Sequence, residues 1–335
     1  VTAKNPTQLI FKAGPGKTPG RFWLVTEIAI FTAVLIPFFL TSCMPDQSPT
    51  ITAQVPAVET TLSAAPPIYL QNTNPKEFYE LTIQNAKTGE PVLNNSPTNT
   101  PINPGTIWGV TVPHHLLAAD LTAAALKKIS PTGYNNIFIL SPDHYNHGKT
   151  VITIADKKIK TTVGKSAVNP EIIAQLTKLK KIKINNTIFP VEHGISAVLP
   201  FSQILWPEAK ITPILIRSDA NAADLEDLLQ FLQQQISVPG TLIIQSSDFS
   251  HYLTAEQAKD KDRQTIAALL SNDPKEIMSL NQPANCDSVN ILYLMKSIRQ
   301  NTGSKIQILE NKNSQDYIKT FLKQTTSYIT IIFNR

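Results

Sequence analysis

Short apolar runs of strand length recur through residues 106–335, with stretches of helical spacing between them. That alternation leaves few folds open. Strands that are apolar along their whole length must be buried on both faces, and the intervening helices are what covers them. Residues 106–112 (TIWGVTV) form the first such run, and residues 116–129 follow with helical spacing and lysines near the end. Residues 136–140 (NIFIL) give a second strand. Asn169-Pro170-Glu171 then carries the cap, first-turn proline and acid of a helix start. Residues 210–216 and 241–245 read as two more strands, with a helix over 221–236 between them. A short helix begins at Asp273-Pro274, another follows Cys286, and residues 327–333 (SYITIIF) read as a final strand. The expected fold is a single α/β domain over 106–335, with a mainly parallel central sheet flanked by helices on both faces. No internal repeat and no Gly-rich phosphate loop interrupts it.

The N-terminal third reads differently. Residues 28–40 form an uncharged, mostly apolar stretch, preceded by Lys4, Lys12, Lys17 and Arg21 and followed by Leu40-Thr41-Ser42-Cys43. The stretch has the length of a signal-peptide core, and the positive flank keeps the N-terminus cytoplasmic. Leucine, a small residue and cysteine in that order resemble a lipoprotein processing site, which makes Cys43 the lipidation site. The other reading is an uncleaved transmembrane anchor. Either way, residues 1–43 place the rest at the membrane, on the outer face of the cytoplasmic membrane. Residues 44–68, rich in Pro, Thr, Ser and Ala, form a tether that cannot bury a core. Residues 69–105 make an N-terminal extension with a helical candidate over 75–87 and a polar stretch over 94–103.

The formal net charge of +5 sits mostly in that leader. From residue 44 onward 26 basic residues face 24 acidic ones, which gives no electrostatic footprint for nucleic acid. With only two cysteines, Cys43 and Cys286, a disulfide framework is not expected.

The chemistry collects in the histidines. His114 and His115 follow the first strand, His144 follows the second after Asp143, and Ser247, Asp248 and His251 follow a later one. Ligands of open parallel sheets bind outside the carboxyl ends of the strands, so these loops deliver imidazoles to one rim. His193, in Glu192-His193-Gly194, reaches toward the same rim from a loop ahead of a helix. Cys286 stands near a helix N-terminus, where the dipole favours thiolate. Imidazole and thiolate together suit a transition metal: iron, copper or zinc. Taken one at a time, these residues have ordinary structural roles open to them, including a cap for Asp248 and an inert core thiol for Cys286.

The order of these segments resembles the Memo family. Val112-Pro113-His114 and the segment from Ile137 to His144 (IFILSPDH) are similar to its strand–Pro–His and FILGPSHH segments. Glu192-His193-Gly194-Ile195 with Leu199-Pro200-Phe201 resembles its EHSIE and LPF segments. Residues 246–251 (SSDFSH) resemble its SSDFCH segment, and Cys286 falls where that family has its site cysteine. The resemblance implies the fold of the class III extradiol dioxygenase catalytic subunit, shared by AmmeMemoRadiSam system protein B. It also implies His114, His144 and Cys286 as metal ligands, with iron or copper as the ion. By the same resemblance His251, Asp248 and His193 act as acid/base or hydrogen-bonding groups, while His115, Asp143, Glu192 and Ser247 line the pocket. The pattern departs at His115-Leu116-Leu117, where the family has Ala-Gly-Tyr, and at Ser196 and Val198, where it has polar residues.

Two functions compete on these residues. One is a membrane-anchored, metal-dependent redox protein acting on a small molecule or peptide. The other is a tethered binding protein without turnover, favoured by the polar positions lost at Ser196 and Val198. A two-metal hydrolase lacks the extra carboxylate cluster it would need.

Overall fold

A computed structural model describes residues 66–71, 73–88 and 104–335, all within one compact unit. The leader at 1–43 and most of the tether lie outside the described residues. A small sheet contains β1 (Ile68–Tyr69), β5 (Ile159–Lys160) and β6 (Lys165–Ser166). The large sheet begins with β2 (Ile107–Val112), β3 (Asn136–Pro142), β4 (Ile152–Ile154) and β7 (Ile182–Ile184). It continues with β8 (Lys210–Ile216), β9 (Thr241–Ser246) and β10 (His251–Leu253), and ends with β11 (Lys305–Asn313) and β12 (Thr325–Asn334). Its spatial order is β10-β12-β2-β9-β3-β8-β4-β7, with β11 paired to β12. The four central strands, β2, β9, β3 and β8, are mutually parallel. Antiparallel joins appear on both sides of that block, at β12 to β2 and at β4 to β8.

The strand residues sort by alternation onto two cores. Phe138, Leu140, Ile214, Ile216, Ile243, Ile329 and Ile331 face one; Ile137, Ile139, Ile211, Leu215, Leu242, Ile244 and Ile332 face the other. Successive side chains point to opposite faces of a strand, so a run apolar at every position demands cover on both sides. The cover comes from α1 (Lys76–Asn85), α2 (Ala119–Ile129), α3 (Pro170–Leu176), α4 (His193–Ser196) and α5 (Leu199–Leu205). The chain adds α6 (Ala222–Gln235), α7 (Ala255–Leu270), α8 (Lys275–Met278), α9 (Val289–Asn301) and α10 (Ser314–Tyr317). Helices α1, α2, α4 and α5 contribute buried side chains to the second core, and α3 and α6 to α9 to the first.

Helix starts follow their sequence signals. Asn169 caps α3 by accepting from Glu171 N–H, and Asn221 caps α6 in a reciprocal box with Asp224. The candidate over 75–87 is α1, and it belongs to the body: Tyr79 is fully buried, edge-on to Phe201 with ring centroids 5.0 Å apart. Among the described residues no helix is long and apolar enough to cross a membrane.

Candidate metal centre

Because β2, β9 and β3 run parallel, their carboxyl ends open on one edge of the sheet. His114 comes two residues after β2, His144 two after β3, and Asp248 two after β9. They meet in a cleft of about 780 Å³, lined also by His193, His251 and Asp287.

Each ligating candidate is held from behind. His144 Nδ1 lies 2.6 Å from Glu192 Oε1, while the His144 N–H donates to Glu192 Oε2 at 3.1 Å. His114 Nδ1 lies 3.2 Å from Ser246 Oγ, and the His114 N–H donates to Asp248 Oδ1 at 3.1 Å. With both Nδ1 atoms engaged, both Nε2 atoms face the cleft. A hydrogen bond to the far nitrogen is what fixes tautomer and ring orientation in metal-ligating histidines. The rings of His114 and His144 stand edge to face, centroids 4.8 Å apart. Donor atoms of His114, His144 and His193 all lie within 4.8 Å of one another, so this trio has the spacing to share an ion. His193 stacks on His144, with centroids 3.8 Å apart and planes tilted by 34°.

Carboxylates crowd the same point. His114 Nε2 is 3.2 Å from Asp287 Oδ2 and 3.6 Å from Asp248 Oδ2. Burial works to deprotonate His114, but Asp248, Asp287 and Glu192 outweigh it and raise its pKa to about 9. Burial also acts on His193, here reinforced by His144 and His114, and brings it down to about 4. Burial opposes ionisation of Glu192 and Asp287, yet the hydrogen bonds from His144 and His114 hold both below the usual carboxylate range. Carboxylates set against imidazoles in this way fit a cation with nitrogen and oxygen ligands.

The remaining expected residues fall in different places. His251 lines the cleft at the start of β10, beside Tyr252, whose φ of 60° puts a bulky residue in the left-handed region. Asp143 lines the cleft too, but its oxygens accept from His147 and Gly148 N–H groups and close a turn. His115 turns toward β12, its Nδ1 2.6 Å from Tyr328 Oη. Ser247 is buried, bonded to Ser288 and Gln245. Cys286 is fully buried in the apolar core, its Sγ accepting from Ser288 N–H at 3.5 Å. The helix dipole was expected to favour its thiolate. Instead α9 starts three residues later, and burial, then Asp287, push the thiol well up. Sequence reasoning missed Asp287, the neighbour of that cysteine; its only signal is a carboxylate in a loop leading to a helix.

The family model described as Memo, a Memo-like protein, matches residues 77–332. A "MEMO1 family protein" of Caldivirga maquilingensis is 25% identical over 240 residues, covering 68% of this chain and 83% of that protein. One from Nitrosopumilus maritimus is 28% identical over 178 residues, 52% of this chain and 64% of the relative. A third, from Methanopyrus kandleri, is 23% identical over 242 residues, 69% of this chain and 85% of the relative.

Proposed function

The chain belongs to the Memo family, and on that premise we propose that it is a metal-dependent redox protein, working at the cleft where the sheet's parallel strands end. One observation carries the reading: Glu192 and Ser246 occupy the Nδ1 atoms of His144 and His114, and so commit both Nε2 atoms to one point. A bound iron or copper ion would supply the electron exchange and open coordination positions that no side chain here offers. The protein's own groups hold, orient and move protons. His114 and His144 are the ligands, and Glu192 fixes the His144 ring. His193 stacks on His144 in the cleft lining, with its side chain the more exposed of the two. From there it is placed to hydrogen-bond a molecule bound in the cleft. The cleft admits a small molecule or a peptide side chain, with Tyr252 on its rim.

The competing binding-protein reading drew on the family's polar positions at Ser196 and Val198. Here both are buried and neither lines the cleft, Val198 sitting in the apolar core. Metal analysis of the purified full chain beside His114→Ala and His144→Ala tests the reading. Near-stoichiometric iron or copper, lost in both variants and accompanied by oxygen uptake with a catechol or thiol, is expected. No metal in any form after anaerobic loading would defeat it.

The same reading includes export and anchoring through Cys43. Palmitate labelling and membrane fractionation of the wild type and Cys43→Ala test this part separately; equal labelling of the two would remove the lipid anchor.

A further inference from the structure

The family resemblance assigns the third ligand to a cysteine, and the spacing of donors admits a third histidine. The side chains around the two Nε2 atoms favour neither. Asp287 Oδ2 lies 3.2 Å from His114 Nε2 and 4.0 Å from His144 Nε2. Ligands each about 2.1 Å from one ion, at tetrahedral or octahedral angles, are separated by roughly 3.0–3.4 Å. The first distance matches, and the second needs a small closing movement. The carboxylate is held for this position, since Oδ2 also accepts from Asp248 N–H at 3.0 Å.

Cys286 and Asp287 are adjacent, so the loop divides them between two environments. The thiol is buried against the apolar core, its Sγ touching Asp287 Oδ1 at 3.9 Å and Ser288 Oγ at 3.8 Å, and of the two residues only Asp287 lines the cleft. His193 is poorly placed for another reason. An imidazole donates in its ring plane, and two rings stacked 3.8 Å apart with a 34° tilt send their lone pairs side by side instead of to one point. His193 is also the most open of the three rings, its side chain 44% exposed.

We propose that Asp287, and not Cys286, supplies the third ligand, making this a two-histidine, one-carboxylate centre with His193 left free to face the substrate. The inference rests on reading the cleft as a metal centre. Its consequence is a switch of ion chemistry: nitrogen and oxygen donors with open positions select iron(II), manganese(II) or zinc, whereas a thiolate would favour copper(I) or zinc.

Cobalt(II), added anaerobically to the full chain, is a probe that reports both affinity and sulfur ligation. The expected spectrum has no thiolate-to-cobalt charge-transfer band in the near ultraviolet. Cys286→Ser should bind within about threefold of wild type, whereas Asp287→Asn and Asp287→Ala should bind about 100-fold more weakly or worse, beyond the loss typical of outer-shell changes. Circular dichroism on Asp287→Asn, which keeps the Oδ acceptor for Asp248 N–H, separates lost ligation from lost folding. A charge-transfer band, or loss of binding in Cys286→Ser with retention in Asp287→Asn, overturns the assignment while leaving the metal centre standing. Loss of binding in His193→Gln with retention in Asp287→Asn does the same in favour of three histidines. No cobalt bound by wild type, with His114→Ala indistinguishable from it, defeats the metal centre itself.

Discussion

At the scale of single residues, the site depends on groups that never touch a ligand. Glu192→Ala should weaken metal binding by about 10- to 100-fold while leaving the fold intact, because the His144 ring loses the partner of its Nδ1. Isothermal titration with cobalt(II) reads the change. A second residue tests burial of charge. Asp262 accepts from Ser250 and Ser327 hydroxyls, and burial raises its pKa despite those bonds. A raised carboxyl contributes stability that is present below the unfolded value, about 3.8, and is lost as pH rises through the folded value. Asp262→Asn, which keeps an acceptor oxygen, should therefore gain on wild type between pH 4 and 7 in urea midpoint. Asp262→Ala should instead lose about 1–3 kcal/mol, because the buried Ser327 hydroxyl loses its acceptor and Ser250 keeps only its longer bond to Ala258 O. His114, His144 and Asp248 were legible in the sequence because each stands two residues beyond an unmistakable strand. Asp287 was not, because it lies in an irregular loop, where direction into the core or the cleft is set by tertiary packing.

Elements place these residues through close contacts. Helix α4 is a single turn, and its Gly194 sits against the carboxyl end of β3: an added Cβ would lie 2.1 Å from Ser141 Oγ and 3.3 Å from His144 Cε1. Gly194→Ala should shift the His144 ring and reduce metal affinity with little loss of helix content, read by titration beside circular dichroism. Helix α1 hangs on Tyr79, so Tyr79→Ala should cost about 3–5 kcal/mol in a denaturant melt, the range for deleting a large buried aromatic. The central strands and the helices between them were legible because each strand carries consecutive apolar residues that face both cores. Helix α7 was not. Its buried stripe is Ala258, Asp262, Thr265, Ala268 and Leu269, four of the five polar or small, so apolar periodicity had little to detect. Strand β11 escaped for a similar reason: it ends in the polar run Glu310 to Asn313 and pairs only with β12.

Across the whole molecule, the parallel block β2-β9-β3-β8 makes one sheet edge the working edge, and everything else secures it. The last strand described, β12, does not lie at the margin. It is inserted beside β2, with β10 and β11 also paired to it. Segments more than two hundred residues apart, Thr111 and Ile331 among them, thus share a register. That arrangement has a consequence in time. Until residues 325–334 arrive, β2 presents an open flank and neither β10 nor β11 has a partner, so the sheet cannot close progressively as the chain emerges. Such non-local pairing predicts slow refolding, on the scale of milliseconds to seconds or longer, with an unfinished intermediate prone to edge-to-edge association. Under the export proposed above, late closure of this kind would keep the polypeptide threadable until residues 325–334 are through.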